Sequence, residues 1–222
     1  MSVKVAPILE PLLKSPRLSL YANQLHAYIE EEQQRRAAFY DWLTEDTKAE
    51  FINGEIVVQT PAKKRHTVAS MNLSALLDAY VEHHQLGFVG AETVLIALTR
   101  NDYLPDICFF SHVKAQKILP DQVKYPAPDF IVEVLSPSTE STDCGVKFEE
   151  YADSGVQEYW LVDSDAQTVE QYLLHGETYG HIIKIKAGEI SSEVVVGFTI
   201  PIAAIFDRRV KNQVLAAILA QE

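Results

Sequence analysis

Asp129-Phe130-Ile131-Val132-Glu133-Val134-Leu135 is an apolar run with one acidic residue at its start and a second inside it. A short run of this kind, followed by a proline-containing break, indicates a buried β-strand. Alternation along the strand places Glu133 on the same face as Ile131 and Leu135. An ionised carboxylate in apolar surroundings is costly without a partner, and a divalent metal ion is one partner that it could have.

A second acid, Asp106, follows Pro105 at the start of another apolar segment. It precedes Glu133 by 27 positions (133 − 106), which is enough for a long turn and a return along an adjacent antiparallel strand. Two carboxylates on neighbouring strands could then share one metal ion. The alternative is that both are ordinary buried acids whose hydrogen bonds are satisfied.

Three residues of the following predicted helix, Asp143, Lys147 and Tyr151, are spaced four apart and therefore lie on one stripe. A lysine beside two acids could stabilise the charge that develops at phosphorus, or orient the attacking water. The same pattern is also typical of a surface salt bridge between Asp143 and Lys147, followed by a core tyrosine.

The 222 residues include 19 Lys and Arg against 31 Asp and Glu, a formal net charge of −12. This balance excludes a protein that coats nucleic acid through a generally basic surface. It does not exclude a nuclease, because a metal ion and a local basic patch such as residues 63–66 can supply positive charge. That patch could equally be a solvated turn before a helix. The two cysteines form no metal clip, and no apolar run approaches the roughly 18 residues of a membrane span, so we expect a cytoplasmic protein.

The first 17 residues contain three prolines and little periodicity, so they are predicted to form a flexible N-terminal arm before a single domain of residues 18–222. The charged middle of the first helix, residues 30–36, is expected to face solvent. Helices are predicted at residues 18–43, 66–83, 143–154 and 210–220, and strands at 50–58 (a hairpin with an Asn-Gly turn), 89–98, 104–110, 129–135, 158–163, 169–174 and 178–186. Asp46 is predicted to begin a turn. Helices mixed with strands in this order indicate an α/β or α+β fold.

Asp106, Glu133 and a nearby lysine resemble the PD-(D/E)XK nuclease superfamily. The similarity is greatest to a bacterial branch of putative restriction endonucleases and covers about residues 45–175 and most of the C-terminal remainder. Besides these residues it includes Glu50-Phe-Ile-Asn-Gly54-Glu55, His66, Pro128–Thr139, Asp143, Tyr151 and Gly155–Asp163. The long run from Pro128 to Asp163 is the specific part.

The resemblance implies a restriction-endonuclease-like core, a central mixed sheet flanked by helices, with an added N-terminal helix and hairpin. It also implies a Mg²⁺- or Mn²⁺-dependent DNA endonuclease. Asp106, Glu133 and the carbonyl of Val134 would hold the metal, Lys147 would assist catalysis, and Glu50 would supply a third carboxylate or pair with a core cation. Because many such nucleases cut as dimers, a homodimer is expected. The candidates for substrate contact are His66, Lys64 and Tyr151.

One position departs from the superfamily pattern. The superfamily lysine stands two residues after the glutamate, where this chain has Leu135, and Lys147 would take its place. Two alternatives stay open: an inactive nuclease-fold module that binds nucleic acid or a protein partner, and an enzyme that acts on another phosphodiester or a nucleotide.

Overall fold

The computed structural model describes residues 5–44 and 47–220. After a 3-10 turn at Pro7–Leu9, its helices are α1 (Glu10–Leu13), α2 (Leu18–Trp42), α3 (Lys64–His83), α4 (His112–Ala115), α5 (Glu140–Asp143), α6 (Val146–Asp153), α7 (Ala203–Phe206) and α8 (Arg208–Leu219). Its strands are β1 (Ala49–Ile52), β2 (Glu55–Val58), β3 (Gly87–Ala91), β4 (Leu95–Ala97), β5 (Asp102–Tyr103), β6 (Ile107–Ser111), β7 (Lys124–Tyr125), β8 (Phe130–Leu135), β9 (Glu158–Asp163), β10 (Thr168–His175), β11 (Thr178–Ile185), β12 (Glu189–Ser191) and β13 (Thr199–Pro201).

The main sheet has six strands in the order β11-β10-β9-β8-β6-β3. Strand β8 is parallel to β9 and antiparallel to β6, so the sheet is mixed. The predicted mixed α+β fold is thereby confirmed. Because β6 and β8 are neighbours, the segment that carries Asp106 returns beside the segment that carries Glu133, as their separation in sequence predicts.

A second sheet, in the order β2-β1-β5-β4-β7, contains the predicted hairpin. Its turn is Asn53-Gly54, and both residues have positive φ, 51° and 85°. These are the signs that a type I′ turn requires at its two central positions, and they match the twist of the strands. The hairpin brings Glu50, on β1, towards the middle of the molecule.

The two faces of β8 pack against different layers, as the alternation predicts. Phe130, Val132 and Val134 join a core that α3, α7 and α8 cover. Ile131 lies on the opposite face, in a core that includes Tyr151 of α6. Glu133 belongs to this second face, so its side chain meets α6.

The expectation that residues 30–36 face solvent is wrong for two of them. Glu32 is buried and accepts hydrogen bonds from the guanidinium of Arg100. Arg36 donates to the fully buried carboxylate of Asp102 through Nε, at 2.6 Å, and Nη2, at 2.8 Å. These charges can be buried because each has a hydrogen-bonded partner from a distant segment, which helical periodicity does not reveal.

Several element boundaries also differ from the prediction. The strand expected at 89–98 is two strands, β3 and β4, interrupted where Glu92 adopts a positive φ of 55°. The helix expected at 143–154 is divided at Gly145 into α5 and α6. The strand predicted at 104–110 begins three residues later, at Ile107, whereas the strand predicted at 178–186 agrees with β11 to within one residue; the sequence does not predict β5, β7, β12 and β13. Residues 1–4 of the predicted arm, Asp46 of the predicted turn and residues 221–222 lie outside the described residues, and the division into arm and domain stays a prediction.

None of the described helices combines the length and the apolar character needed to cross a membrane.

The last helix offers a direct test of a local contact. Asp207 is the N-cap of α8, and its Oδ1 accepts from the N–H groups of Arg209, at 2.7 Å, and Val210, at 3.3 Å. We expect Asp207→Ala to lower the free energy of unfolding by about 1 kcal/mol, because these N–H groups lose their acceptor. Urea unfolding of Asp207→Asn is the matched control, and it should stay within a few tenths of a kcal/mol of wild type. An equal loss in both variants would contradict the capping role.

Candidate metal and catalytic site

Asp106 and Glu133 are brought together at the end of the main sheet by two hydrogen bonds between the segments that carry them. The Asp106 side chain accepts from the N–H of Val134 through Oδ2, at 2.7 Å, and the N–H of Asp106 donates to Glu133 Oε2, at 3.4 Å. The Asp106 side chain is 17% exposed, so a solute can reach it. The two acids that were paired on sequence grounds are thus adjacent.

Glu133 is almost fully buried on the face that α6 covers. Its Oε1 accepts from Lys147 Nζ, at 3.0 Å, and from the hydroxyl of Tyr151, at 3.1 Å. Burial holds the pKa of Glu133 well above its ordinary value; Lys147 opposes this rise, while the nearby acids Asp143, Asp106 and Glu50 add to it. A cation is therefore needed to keep Glu133 ionised.

Lys147 lies at the centre of three carboxylates, which we call the lysine cage: Glu50, Glu133 and Asp143. Its Nζ is 3.0 Å from Glu50 Oε1, 3.0 Å from Glu133 Oε1 and 3.1 Å from Asp143 Oδ1. Burial alone would lower the pKa of Lys147, but these carboxylates raise it well above its ordinary value, so the lysine stays charged. The Asp143–Lys147 bridge considered above as a surface pair does form, but in the interior.

The lysine cage determines where two other predicted residues lie. Glu50 accepts a hydrogen bond from the N–H of Leu104, at 2.8 Å, and forms an ion pair with Lys147. Of the two roles that the sequence leaves open for Glu50, the structure thus shows the pairing with a core cation. Tyr151 is fully buried and donates to Glu133, so it acts as a core residue that also holds one acid in place.

Tyr103 is part of this site and was not predicted. Its ring lies 5.6 Å from Lys147 Nζ and packs edge-on against Tyr151. Its hydroxyl donates to Glu150 Oε2, at 2.7 Å. The only signal in the sequence that could have located Tyr103 is its nearness to Pro105-Asp106. The spacing of residues does not predict that a tyrosine ring packs against a buried lysine.

His66, in the first turn of α3, approaches the exposed side of Asp106. Its Nε2 is 3.4 Å from Asp106 Oδ2, and its Nδ1 is buried with no hydrogen-bond partner among the described residues. Burial alone would lower the pKa of His66, but Asp106 and the neighbouring carbonyl of Val134 raise it above the ordinary value. Lys64, two residues earlier, is exposed at the start of the same helix.

The oxygen atoms that converge here fit a hard cation. Glu133 Oε2 and Asp106 Oδ2 face the backbone between β6 and β8, whereas Glu133 Oε1 faces Lys147; the Val134 carbonyl is near His66, beside Asp106. Within residues 5–44 and 47–220 no three His, Cys, Asp or Glu side chains are arranged to hold a metal ion. A cation here would therefore use two carboxylates, a carbonyl and water, a set that suits Mg²⁺ and does not suit zinc.

Asp129, the other acid of the opening motif, lies apart from this site. Its carboxylate is 2.9 Å from Lys114 Nζ and accepts from the N–H of Ser111, at 2.7 Å. Burial alone would raise the pKa of Asp129, but Ser111 and Lys114 hold it below the ordinary value of 3.8. Asp129 thus anchors the end of β6 to the start of β8.

This contact predicts a pH dependence. A carboxyl group whose pKa is lower in the folded state stabilises the fold above its unfolded pKa, and the contribution is lost as pH falls through the folded value. We expect Asp129→Asn to lose about 1 kcal/mol at pH 7, allowing for solvent screening of the partly exposed pair. In urea unfolding the difference from wild type should shrink as pH falls below 3.8 and through the lower pKa of the folded state. A constant difference from pH 7 to pH 2.5 would contradict an electrostatic cause.

Comparisons with known proteins agree with this architecture. The family model Uma2, described as "Putative restriction endonuclease", matches residues 36–203. "Uncharacterized protein slr1290" of Synechocystis sp. is 27% identical over 161 residues, which is 72% of this chain and 83% of that protein. "Uncharacterized protein sll1609" of the same organism is 32% identical over 132 residues, 59% of this chain and 74% of that protein.

Among solved structures, the crystal structure of "a putative nuclease belonging to DUF820" from Anabaena variabilis superposes with a TM-score of 0.64. It is 19% identical, and the match covers 76% of this chain and 94% of the other. At this identity the likeness shows a shared fold.

Proposed function

Because the chain belongs to the Uma2 family, whose description is "Putative restriction endonuclease", we propose that it hydrolyses DNA phosphodiester bonds with a divalent cation, Mg²⁺ or Mn²⁺. The observation that carries this proposal is the adjacency of Asp106 and Glu133, whose segments are joined by two side-chain-to-backbone hydrogen bonds and of which Asp106 is partly exposed. Restriction-endonuclease-like proteins generally use a divalent metal, and the oxygen atoms present here suit one.

Each residue of the site has a separate task in this proposal. Asp106, Glu133 and the Val134 carbonyl would hold the cation, which would lower the pKa of a water molecule and balance charge on the scissile phosphate. Lys147 is the positioning residue: by holding Glu133 Oε1 it opposes the rise in the Glu133 pKa that burial causes and leaves Oε2 directed at the N–H of Asp106. His66, beside Asp106, is placed to contact the phosphate that enters.

Incubation with supercoiled, linear and single-stranded DNA tests the activity. We expect strand cleavage in Mg²⁺ or Mn²⁺ and none in EDTA. Glu133→Gln keeps a similar shape but removes one charge from the metal site, and it should be inactive in the same assay. Intact DNA of every form at millimolar Mg²⁺ and Mn²⁺ would contradict the proposal.

One observation favours a second function, an inactive nuclease-fold module that binds nucleic acid or a protein. Leu135, at the position of the superfamily lysine, packs against the apolar core and cannot donate a hydrogen bond from its side chain. Lys147, its replacement, is only 4% exposed. Protein that binds DNA tightly, takes up no Mn²⁺ and cleaves nothing would favour this module.

We also propose that the protein acts as a cytoplasmic homodimer. The apolar side chains of Val214 and Ile218 in the last helix are not available for self-association, because they pack against the main core of the same chain. The exposed apolar side chains of α2, among them Leu25 and Ile29, and of the edge strand β2 are the remaining candidates. Light scattering that gives the mass of one chain would contradict the dimer.

A further inference from the structure

A cleft with one cationic wall lies beside the candidate site. We call it the α3 cleft; its volume is about 450 Å³. Lys63, Lys64 and Arg65 form the cationic wall at the start of α3, while Ser164 and Gln167 of the β9–β10 turn lie across from it. Three consecutive cations are notable in a chain with a net charge of −12.

Two of these cations are available to a ligand. Arg65 forms an ion pair with Asp165. Within the described part of the chain, neither Lys63 nor Lys64 has a carboxylate at ion-pair distance, and both are exposed. No side chain caps the N-terminus of α3, so its first N–H groups add to the positive potential of this wall.

The rest of the cleft favours a nucleotide chain over a small free anion. Val68 and Phe206 provide an apolar wall next to the lysines. A free phosphate ion has no apolar surface that could pack against this wall, whereas a nucleotide strand carries apolar sugar and base surface beside each phosphate. The combination of cations and an aromatic ring therefore suits a strand of nucleic acid.

The α3 cleft and the candidate site lie next to each other along the chain. His66, which is 3.4 Å from Asp106, follows Arg65 directly, so the cleft and the site share the first turn of α3. Lys63 and Lys64 are two to three residues from His66, about 3–5 Å along the helix axis. Successive phosphates of one strand rise about 3.4 Å along a duplex, which is comparable to this separation along the helix axis.

The opposite wall of the cleft, formed by the β9–β10 turn, also lies at the end of the sheet that carries Asp106 and Glu133. Leu135, two residues after Glu133, pairs with Asp163 at the end of β9, and the turn that lines the cleft follows immediately. Both walls of the cleft are thus at the end of the sheet that holds the two acids.

We propose that the α3 cleft binds a backbone phosphate of the nucleic-acid strand, one or two nucleotides from the bond that is cut, through Lys63 and Lys64. This inference rests on the proposed function for the identity of the ligand. It concerns binding, however, and can be tested without cleavage.

The test is fluorescence anisotropy of a labelled DNA duplex, and of its single strand, titrated in EDTA at several salt concentrations. In Lys63→Ala/Lys64→Ala the affinity should fall roughly tenfold, and the slope of log K against log[salt] should become shallower by about 1 to 2. Lys117→Ala/Lys186→Ala removes the same charge from two exposed lysines elsewhere and should bind almost as wild type.

Three results would overturn the proposal: no binding by wild type, no change in Lys63→Ala/Lys64→Ala, or an equal loss in the control variant. Saturation of wild type by inorganic phosphate without binding of either DNA would identify a free-anion site, and would also overturn it. If the binding pattern is as expected but no cleavage occurs with Mg²⁺ or Mn²⁺, the proposed function fails while the phosphate site stands. If DNA is cleaved but the double variant binds it as wild type does, the phosphate site fails while the proposed function stands.

Discussion

Lys147→Met is expected to lower the free energy of unfolding by about 3–5 kcal/mol at pH 8, because it leaves three carboxylates buried around a position that has lost its cation. The lysine cage holds Nζ within 3.1 Å of each carboxylate, and none of the four side chains is more than 7% exposed. Methionine is close to lysine in length, so lost packing contributes little. Urea unfolding measures the change.

The loss should depend on pH. Without Lys147, Glu133 loses the charge that lowers its pKa, while burial and the neighbouring acids continue to raise it. Glu133 would then take up a proton on folding, and the stability of the variant relative to wild type must fall as pH rises. We therefore expect a smaller deficit at pH 5 than at pH 8.

Two further variants serve as controls. Lys186→Met changes an exposed lysine and should stay within about 0.5 kcal/mol of wild type. Adding Glu50→Gln and Asp143→Asn to Lys147→Met should recover much of the loss, because neutral groups no longer need the cation. A deficit below about 1 kcal/mol that does not vary with pH would show that the lysine cage does not stabilise the fold.

Asp106→Asn is expected to lower the rate of DNA cleavage at least 100-fold, a loss of about 2.7 kcal/mol in transition-state stabilisation, because a metal ligand contributes several kcal/mol. The amide oxygen can still accept the hydrogen bond from the N–H of Val134, so folding should change little. Cleavage rates across a Mn²⁺ titration measure the loss of activity, and urea unfolding measures any loss of stability. A rate that recovers at high Mn²⁺ would locate the defect in metal affinity.

Asp129→Asn is the matched control for Asp106→Asn, because it makes the same chemical change at an acid outside the candidate site. Asp129 also follows a proline at the start of a strand, but its partners are Lys114 and Ser111, remote from Glu133. Well below the unfolding temperature its cleavage rate should stay within about twofold of wild type. An equal loss in both variants would remove the special role of Asp106.

The features of the fold that follow local rules were predictable from sequence. Alternation along residues 129–135 gives the face of Glu133, and the Asn53-Gly54 pair gives the hairpin turn. The separation of Asp106 and Glu133 gives the antiparallel return that makes β6 and β8 neighbours.

The features that depend on distant charges were not predictable. The lysine cage draws its carboxylates from β1, β8 and α5; the spacing of four residues indicates the Asp143–Lys147 pair, but no local pattern indicates that Glu50 and Glu133 contact the same Nζ. The pairing of Arg36 with Asp102 spans 66 positions, so a charged helical face was assigned to solvent when part of it is buried. Hydrophobic periodicity predicts which apolar side chains are buried, but it does not predict which charged side chains form ion pairs.

The central claim is that Asp106 and Glu133 form a metal site, and calorimetric titration of Mn²⁺ tests it most directly. Wild type should bind about one Mn²⁺ per chain in a saturable manner, and Asp106→Ala/Glu133→Ala should show no saturable binding while circular dichroism confirms that it is folded. Wild-type protein that takes up no Mn²⁺, alone or with DNA present, would contradict the account.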